Sequence, residues 1–290
     1  MKLSVETFIL REMFSDEEAL RMIRKAGFDA YDYSFYWGND QTDMLGDDYL
    51  QRAMALRQLG ESLNISCNQA HDPFEVSYGD KFDLDNRNYL RLVRCLEFAS
   101  VLGANHVIVH AIKDNLPEGL DFIAYNRQFY ESLIPWCEKF GICICVENLF
   151  NWQEKAIPVL CNPTEHQDFV RQLNSPWVKI CVDVGHSAIT GYKPEEVLAA
   201  MDPQLLAALH IHDNDGFRDQ HLLPGQGCMD WIAITTALGN IGYLGDFTFE
   251  LTGYWRSKQP EQMAAALLTA QQEGRKLIKQ IDAYRQGRSL

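Results

Sequence analysis

The sequence predicts a (β/α)8 barrel, and three observations carry that prediction. β-rich runs alternate with longer helical patterns along the whole chain. Several runs (VIVHA, ICICVEN, FTFEL) are almost continuously apolar, as parallel strands covered on both faces are. Eight such units in 290 residues leave about 36 residues each, enough for a strand, a helix and two loops. A doubly wound open sheet is the alternative, but no GxGxxG turn follows the first strand. No linker or low-complexity stretch divides the chain, so residues 1–290 are expected to form one domain.

The elements follow in order. A first strand is expected over 3–9, then a helix over 15–26 with Ser15 as a good N-cap. Strand two covers 28–34, with a helix over 48–63. Strand three covers 65–71, with a helix over 86–102. Strand four covers 106–110, with a helix over 120–140. Strand five covers 142–148, with a helix over 164–173. Strand six covers 178–183, with a helix over 194–201. Strand seven covers 205–212, with a helix over 229–241. Strand eight covers 246–251, and a terminal helix covers 261–284.

Composition narrows the partners. The net charge of −14 argues against nucleic acid, because a phosphate-dense duplex usually calls for a basic face. The first residues include Glu6, Arg11 and Glu12, so no apolar signal region is expected, and no apolar run approaches a membrane span. The eight cysteines lack CxxC spacing. Cys143 and Cys145 alternate in one strand pattern and Cys181 sits in another, which reads as buried free thiols in a cytoplasmic protein.

Barrel chemistry sits at the C-terminal ends of the strands. Six consecutive strand ends carry His71, His110, Glu147, Asp183, His210 and Glu250, spaced by 39, 37, 36, 27 and 40 residues. A lone histidine there is usually a hydrogen-bonded core residue, and a lone glutamate a solvated one. Six in register are harder to read that way. Closing the barrel would aim three carboxylates at one point, where a cation relieves their repulsion. Further candidates lie just beyond: His186 three residues after Asp183, His212 two after His210, and the run Asp219-Gln-His221. The turn Pro224-Gly225-Gln226-Gly227 is expected to approach a ligand closely. His106 and His166 lack such context. Aromatics follow strands two, five and eight: Phe35-Tyr36-Trp37, Phe150 with Trp152, and Tyr254-Trp255. They suit stacking on a sugar ring, but could equally cover the rim or form a subunit contact.

The segments VIVHA, CVENL, CVDVGH, LHIHDNDGFRDQHLLPGQG and FTFEL resemble the sugar-phosphate isomerase/epimerase group of the xylose-isomerase-like TIM barrels. That superfamily also holds the type-four AP endonucleases and ketose 3-epimerases. The resemblance implies one divalent ion, Mn²⁺ foremost, with Mg²⁺, Co²⁺ or Zn²⁺ compatible. Its ligands would be Glu147, Asp183, His210 and Glu250. It further implies a sugar or keto-sugar isomerase or epimerase. Glu147 and Glu250 would move the carbon-bound proton from opposite faces through an enediolate stabilised by the ion. His71, His110, His186, Asp219, His221 and Trp37 would bind substrate, with Arg218 standing in for the group's usual arginine. Two alternatives share these residues. One is a lyase, dehydratase or keto-glycoside-cleaving enzyme on the same enediolate. The other is a zinc phosphodiesterase of the endonuclease type, whose nine-ligand pattern has a counterpart at each position here. Apolar helix faces and exposed aromatics would allow a homo-oligomer.

Overall fold

The computed structural model describes residues 1–35, 44–73, 78, 81–113, 121–152 and 156–287. Its strands are β1 (Leu3–Glu6), β2 (Ala30–Ser34), β3 (Ser66–His71), β4 (His106–Val109), β5 (Cys143–Glu147), β6 (Leu149–Asn151), β7 (Ile157–Val159), β8 (Val178–Asp183), β9 (Leu206–His210) and β10 (Phe247–Phe249). Eight of them pair in parallel, in the order β10-β1-β2-β3-β4-β5-β8-β9. A bridge between Ile211 and Phe249 joins the two ends of that sheet, with Ile211 N donating to Thr248 O and Glu250 N to Ile211 O. The result is a nearly closed (β/α)8 barrel. β6 and β7 form a separate antiparallel hairpin just after β5.

The helices are α1 (Phe8–Met13), α2 (Asp16–Ala26), α3 (Tyr49–Leu63), α4 (Arg87–Leu102), α5 (Phe122–Phe140), α6 (Pro163–Gln172), α7 (Val184–Ile189), α8 (Pro194–Ala199), α9 (Trp231–Asn240), α10 (Thr252–Arg256) and α11 (Met263–Arg285). Their starts are written in the sequence. Ser15, Asn86, Asp121, Asn162, Asp183 and Asp230 each accept a backbone N–H of the first turn. No helix among the described residues is long and apolar enough to cross a membrane.

Three differences from the sequence reading have local causes. β1 stops at Glu6, not at 9, because the Glu6 carboxylate accepts Phe8 N and starts α1 there. α7 follows β8 directly, because Asp183 at the strand end is also its N-cap. The hairpin and α10 are each five residues or fewer per element, too short to show a period.

The barrel interior is split. Ile108, Cys145, Cys181 and Ala208, from β4, β5, β8 and β9, form a small apolar cluster. The other half of the ring contributes Ser4, Asn68, Gln69 and Thr248, all buried and hydrogen-bonded to one another. Buried polar groups without such partners would each cost on the order of 1–3 kcal/mol. All eight cysteines are free. Cys145 and Cys181 are core residues, whereas Cys143, expected there too, is half-buried at the start of β5. His166 is buried with Nε2 3.1 Å from Val146 O, a structural contact.

Candidate metal centre

Strand geometry brings the predicted donors together. Glu147 ends β5, Asp183 ends β8, His210 ends β9 and Glu250 follows β10. One donor atom from each lies within 4.8 Å of the others, and all four residues are buried. His210 Nδ1 is 2.7 Å from Glu147 Oε1 and 3.4 Å from Glu250 Oε2. His71, His110 and Glu147 form a second set, with His110 Nε2 2.6 Å from Glu147 Oε2. His186, His212, Asp219 and His221 form a third. His221 Nε2 is 2.9 Å from Asp219 Oδ2, and His186 Nε2 is 3.5 Å from it.

Local folding fixes each group. Asp183 Oδ1 accepts His186 N at 2.6 Å, which sets His186 on the first turn of α7. Asn148 adds a clamp: its amide accepts Asp183 N, donates to Asp183 O, and its backbone oxygen faces His186 Nδ1 at 2.9 Å. His212 Nε2 lies 3.0 and 3.1 Å from the two Asp183 oxygens, and its ring stacks on His221 with centroids 4.0 Å apart. That ring needs Gly185, since a Cβ there would meet His212 Cε1 at 1.9 Å. His221 holds φ of 46°, a left-handed backbone that few non-glycine residues adopt.

The electrostatics are those of a charge cluster in need of cations. Burial disfavours the charge on Glu147, yet the imidazoles of His210 and His110 outweigh it and hold the carboxyl well below its usual range. Burial likewise opposes charge on Glu250, but His210 and His221 bring it down to about 2. The histidines move the opposite way. Burial works against protonation of His186, but Asp183 and Asp219 raise it to about 10. His71 and His221 are also raised well above the usual imidazole value by their carboxylate neighbours, and His210 by Cys181 together with Glu250 and Glu147, in each case against the effect of burial. His110 is lowered by burial, which works against the raising effect of Glu147 beside it. Protonated imidazoles thus supply the positive charge that the converging carboxylates require. A divalent ion would supply it with fewer desolvated groups, so the donor set fits one.

Not every predicted position joins. Arg218 is turned outward, its guanidinium held by Asp215 at 2.6 and 2.9 Å, with most of its side chain in solvent. The Asp215 carboxylate accepts Phe217 N and Arg218 N, so the local turn itself directs the arginine away from the donors. Trp37 and Tyr36 lie outside the described residues. Phe150 is edge-on to His186 at 4.9 Å and carries the exposed Trp152. Phe35, Tyr254 and Trp255 are buried. The 224–227 turn approaches Asp213 closely: Gly225 N donates to Asp213 Oδ2 at 2.8 Å. Gly227 packs so tightly that a Cβ would meet Asn214 O at 2.2 Å.

Buried acids escaped the sequence reading, among them Asp72, whose Oδ1 lies 3.4 Å from His71 Nδ1. Glu6 ends β1 and Asp32 lies on β2, both fully buried. Burial, with the charges of Glu250 and Asp32, pushes the Glu6 carboxyl up to about 8. The strand-end rule would have found Glu6, since it closes the short run LSVE.

The family described as xylose isomerase-like TIM barrel matches residues 20–273. The uncharacterized protein y4fM of Sinorhizobium fredii is 32% identical over 161 residues, which cover 53% of this chain and 50% of that protein. The chain thus matches only about half the length of that relative. A Haemophilus influenzae protein provisionally named L-ribulose-5-phosphate 3-epimerase is 22% identical over 265 residues, covering 85% of this chain and 86% of that one. A solved D-psicose 3-epimerase structure superposes with a TM-score of 0.75 at 17% identity, covering 96% of this chain and 99% of that one. With the matched family spanning most of the chain and the barrel in place, this protein belongs to the xylose isomerase-like TIM-barrel family.

Proposed function

We propose that the chain is a divalent-metal-dependent isomerase or epimerase of a sugar or keto-sugar. The observation that carries this reading is the convergence of Glu147, Asp183, His210 and Glu250 within 4.8 Å at the strand ends. The names of the two epimerase relatives support the substrate class. Three oxygen donors and one nitrogen suit Mn²⁺ first, with Mg²⁺, Co²⁺ and Zn²⁺ compatible. Such an ion supplies the positive charge that makes a hydrogen beside a carbonyl acidic.

The rest of the work falls to the chain. Glu147 and Glu250 stand on β5 and just past β10, three strand steps apart around the ring. They can therefore address a bound sugar from two sides. One takes the proton from carbon and the other returns one to the opposite face. Both are held ionised, so the carboxylate that returns a proton must first receive one from a neighbouring imidazole such as His221, 3.7 Å from Glu250 Oε2, and that imidazole is recharged with the proton taken from carbon. His71, His110, His186, Asp219 and His221 ring the same space and are assigned to substrate hydroxyls. Arg218 is not assigned, because its charge is spent on Asp215.

A second reading has its own support. The His71/His110/Glu147 and His186/His212/Asp219/His221 sets could each hold a further ion, as a three-zinc phosphodiesterase would need. The net charge of −14 weighs against a DNA substrate. One experiment separates the two. Protein purified without added metal or chelator is analysed by elemental mass spectrometry, then incubated with a ketose panel in tritiated water. About one ion per chain with tritium entering the sugar supports the isomerase. Three zinc ions, no exchange, and cleavage of an abasic oligonucleotide would replace it with the phosphodiesterase.

A further inference from the structure

Behind the four donors runs a string of hydrogen bonds that the proposed reaction does not use. It begins deeper in the barrel. Ser4 Oγ donates to Asn68 Oδ1 at 2.6 Å, and Asn68 Nδ2 donates to Thr248 Oγ1 at 3.1 Å. Thr248 Oγ1 donates to Gln69 Oε1 at 3.1 Å, and Gln69 Nε2 donates to Asp32 Oδ2 at 2.8 Å. Asp32 Oδ2 then lies 3.5 Å from His210 Nε2. All six residues are buried. Gln69 presents its NH₂ to the Asp32 oxygen, which leaves its own oxygen to accept from Thr248. The string therefore has one direction, and it holds the Asp32 carboxyl as a fixed acceptor on one side of the His210 ring.

The two nitrogens of His210 have different surroundings. Nδ1 faces the oxygens of Glu147 and Glu250 at 2.7 and 3.4 Å. Nε2 has no hydrogen-bond partner among the described residues, and Asp32 is the acceptor it faces. A metal-ligating histidine needs its outer N–H held by an acceptor, which fixes both tautomer and ring plane. We infer that Asp32 is a positioning residue: it keeps the His210 proton on Nε2, leaves the Nδ1 lone pair for the cation, and is itself locked by Gln69. This inference rests on the proposed function, in that it needs a divalent ion at the four donors.

The test uses full-length wild type, Asp32→Asn and Gln69→Leu. Each is stripped of metal, its melting temperature is taken, and its Mn²⁺ dissociation constant is measured by competition with a chromophoric chelator. Asp32→Asn is expected to bind Mn²⁺ about 10- to 100-fold more weakly, while melting no lower than wild type when metal-free. Gln69→Leu is expected to weaken binding in the same direction by less. A merely structural Asp32 would lower the melting temperature and leave the dissociation constant alone. That outcome, or Mn²⁺ binding by Asp32→Asn within about twofold of wild type, overturns the inference while leaving the proposed function standing. A wild-type chain that binds neither Mn²⁺ nor Zn²⁺ overturns both. Because either variant could fail to fold, the wild-type tautomer is read directly. The imidazole ¹⁵N shifts of Zn²⁺-loaded, ¹⁵N-histidine-labelled protein are recorded, with His210 identified by its loss in His210→Gln. A protonated Nε2 and metallated Nδ1 support the assignment. The reverse overturns it.

Discussion

Glu6→Gln is the sharpest probe of the barrel mouth. Glu6 is fully buried and its carboxyl ionises at about 8, raised by burial and by the charges of Glu250 and Asp32. Unfolded, it would ionise near 4.5. Between those values the unfolded chain has lost its proton while the folded chain still holds one. The folded state therefore binds more protons, and stability falls as pH rises. The loss begins near pH 4.5 and is complete above pH 8. At about 1.4 kcal/mol per pH unit of difference, it amounts to about 5 kcal/mol as an upper bound. Glutamine keeps an oxygen for Phe8 N and Ser34 Oγ, the two groups that donate to Glu6 Oε1, and it cannot ionise. The assay is urea unfolding of metal-free wild type and variant at half-unit steps from pH 4.5 to 9. The stability of the variant relative to wild type should grow steadily with pH to about 8 and then level off. A constant difference across that range, or a variant less stable throughout, would refute the account of Glu6 as a proton-holding buried acid. Adding Mn²⁺ should flatten the curve, because a nearby cation favours the ionised form.

Three further outcomes are expected. Metal binding at the four donors must displace a proton from His210, which is raised well above the usual imidazole value. Mn²⁺ affinity should therefore rise with pH between about 6 and 9 with proton release, measurable by calorimetry in buffers of different ionisation enthalpy. Glu147→Gln and Glu250→Gln should each slow solvent-proton exchange into the substrate by about 10²- to 10⁴-fold with the fold intact by circular dichroism. Gly185→Ala drives a methyl into the His212 ring at 1.9 Å. It should cost about 1–3 kcal/mol or more in urea unfolding and weaken metal binding through Asp183.

Much of the mouth was legible because strand-end position is a one-dimensional property. Glu147, Asp183, His210 and Glu250 each close or directly follow an apolar run, and a barrel sends all such positions to one face. The same rule applied to LSVE would have reached Glu6. It was passed over because a four-residue strand leading straight into α1 leaves no period to read. Asp32 was not legible at all. It sits inside AYDYS, where alternation gives no sign of which face points into the barrel.

The sequence by itself determined the order of the eight barrel strands and the longer helices between them, the Ser15 N-cap, and the residue types that converge at the mouth. Those follow from local rules, in which each residue answers to neighbours three or four positions away. Tertiary structure decided what depends on distance through space. It stacked His212 on His221, pinned the 224–227 turn to Asp213, and split the barrel interior into an apolar half and a polar half. It also gave each histidine its charge. A buried imidazole's proton is set by the groups a few ångströms away. Some are near in the chain, as Asp72 is to His71 and Asp219 to His221, and some come from distant strands, as Cys181, Glu250 and Glu147 do to His210.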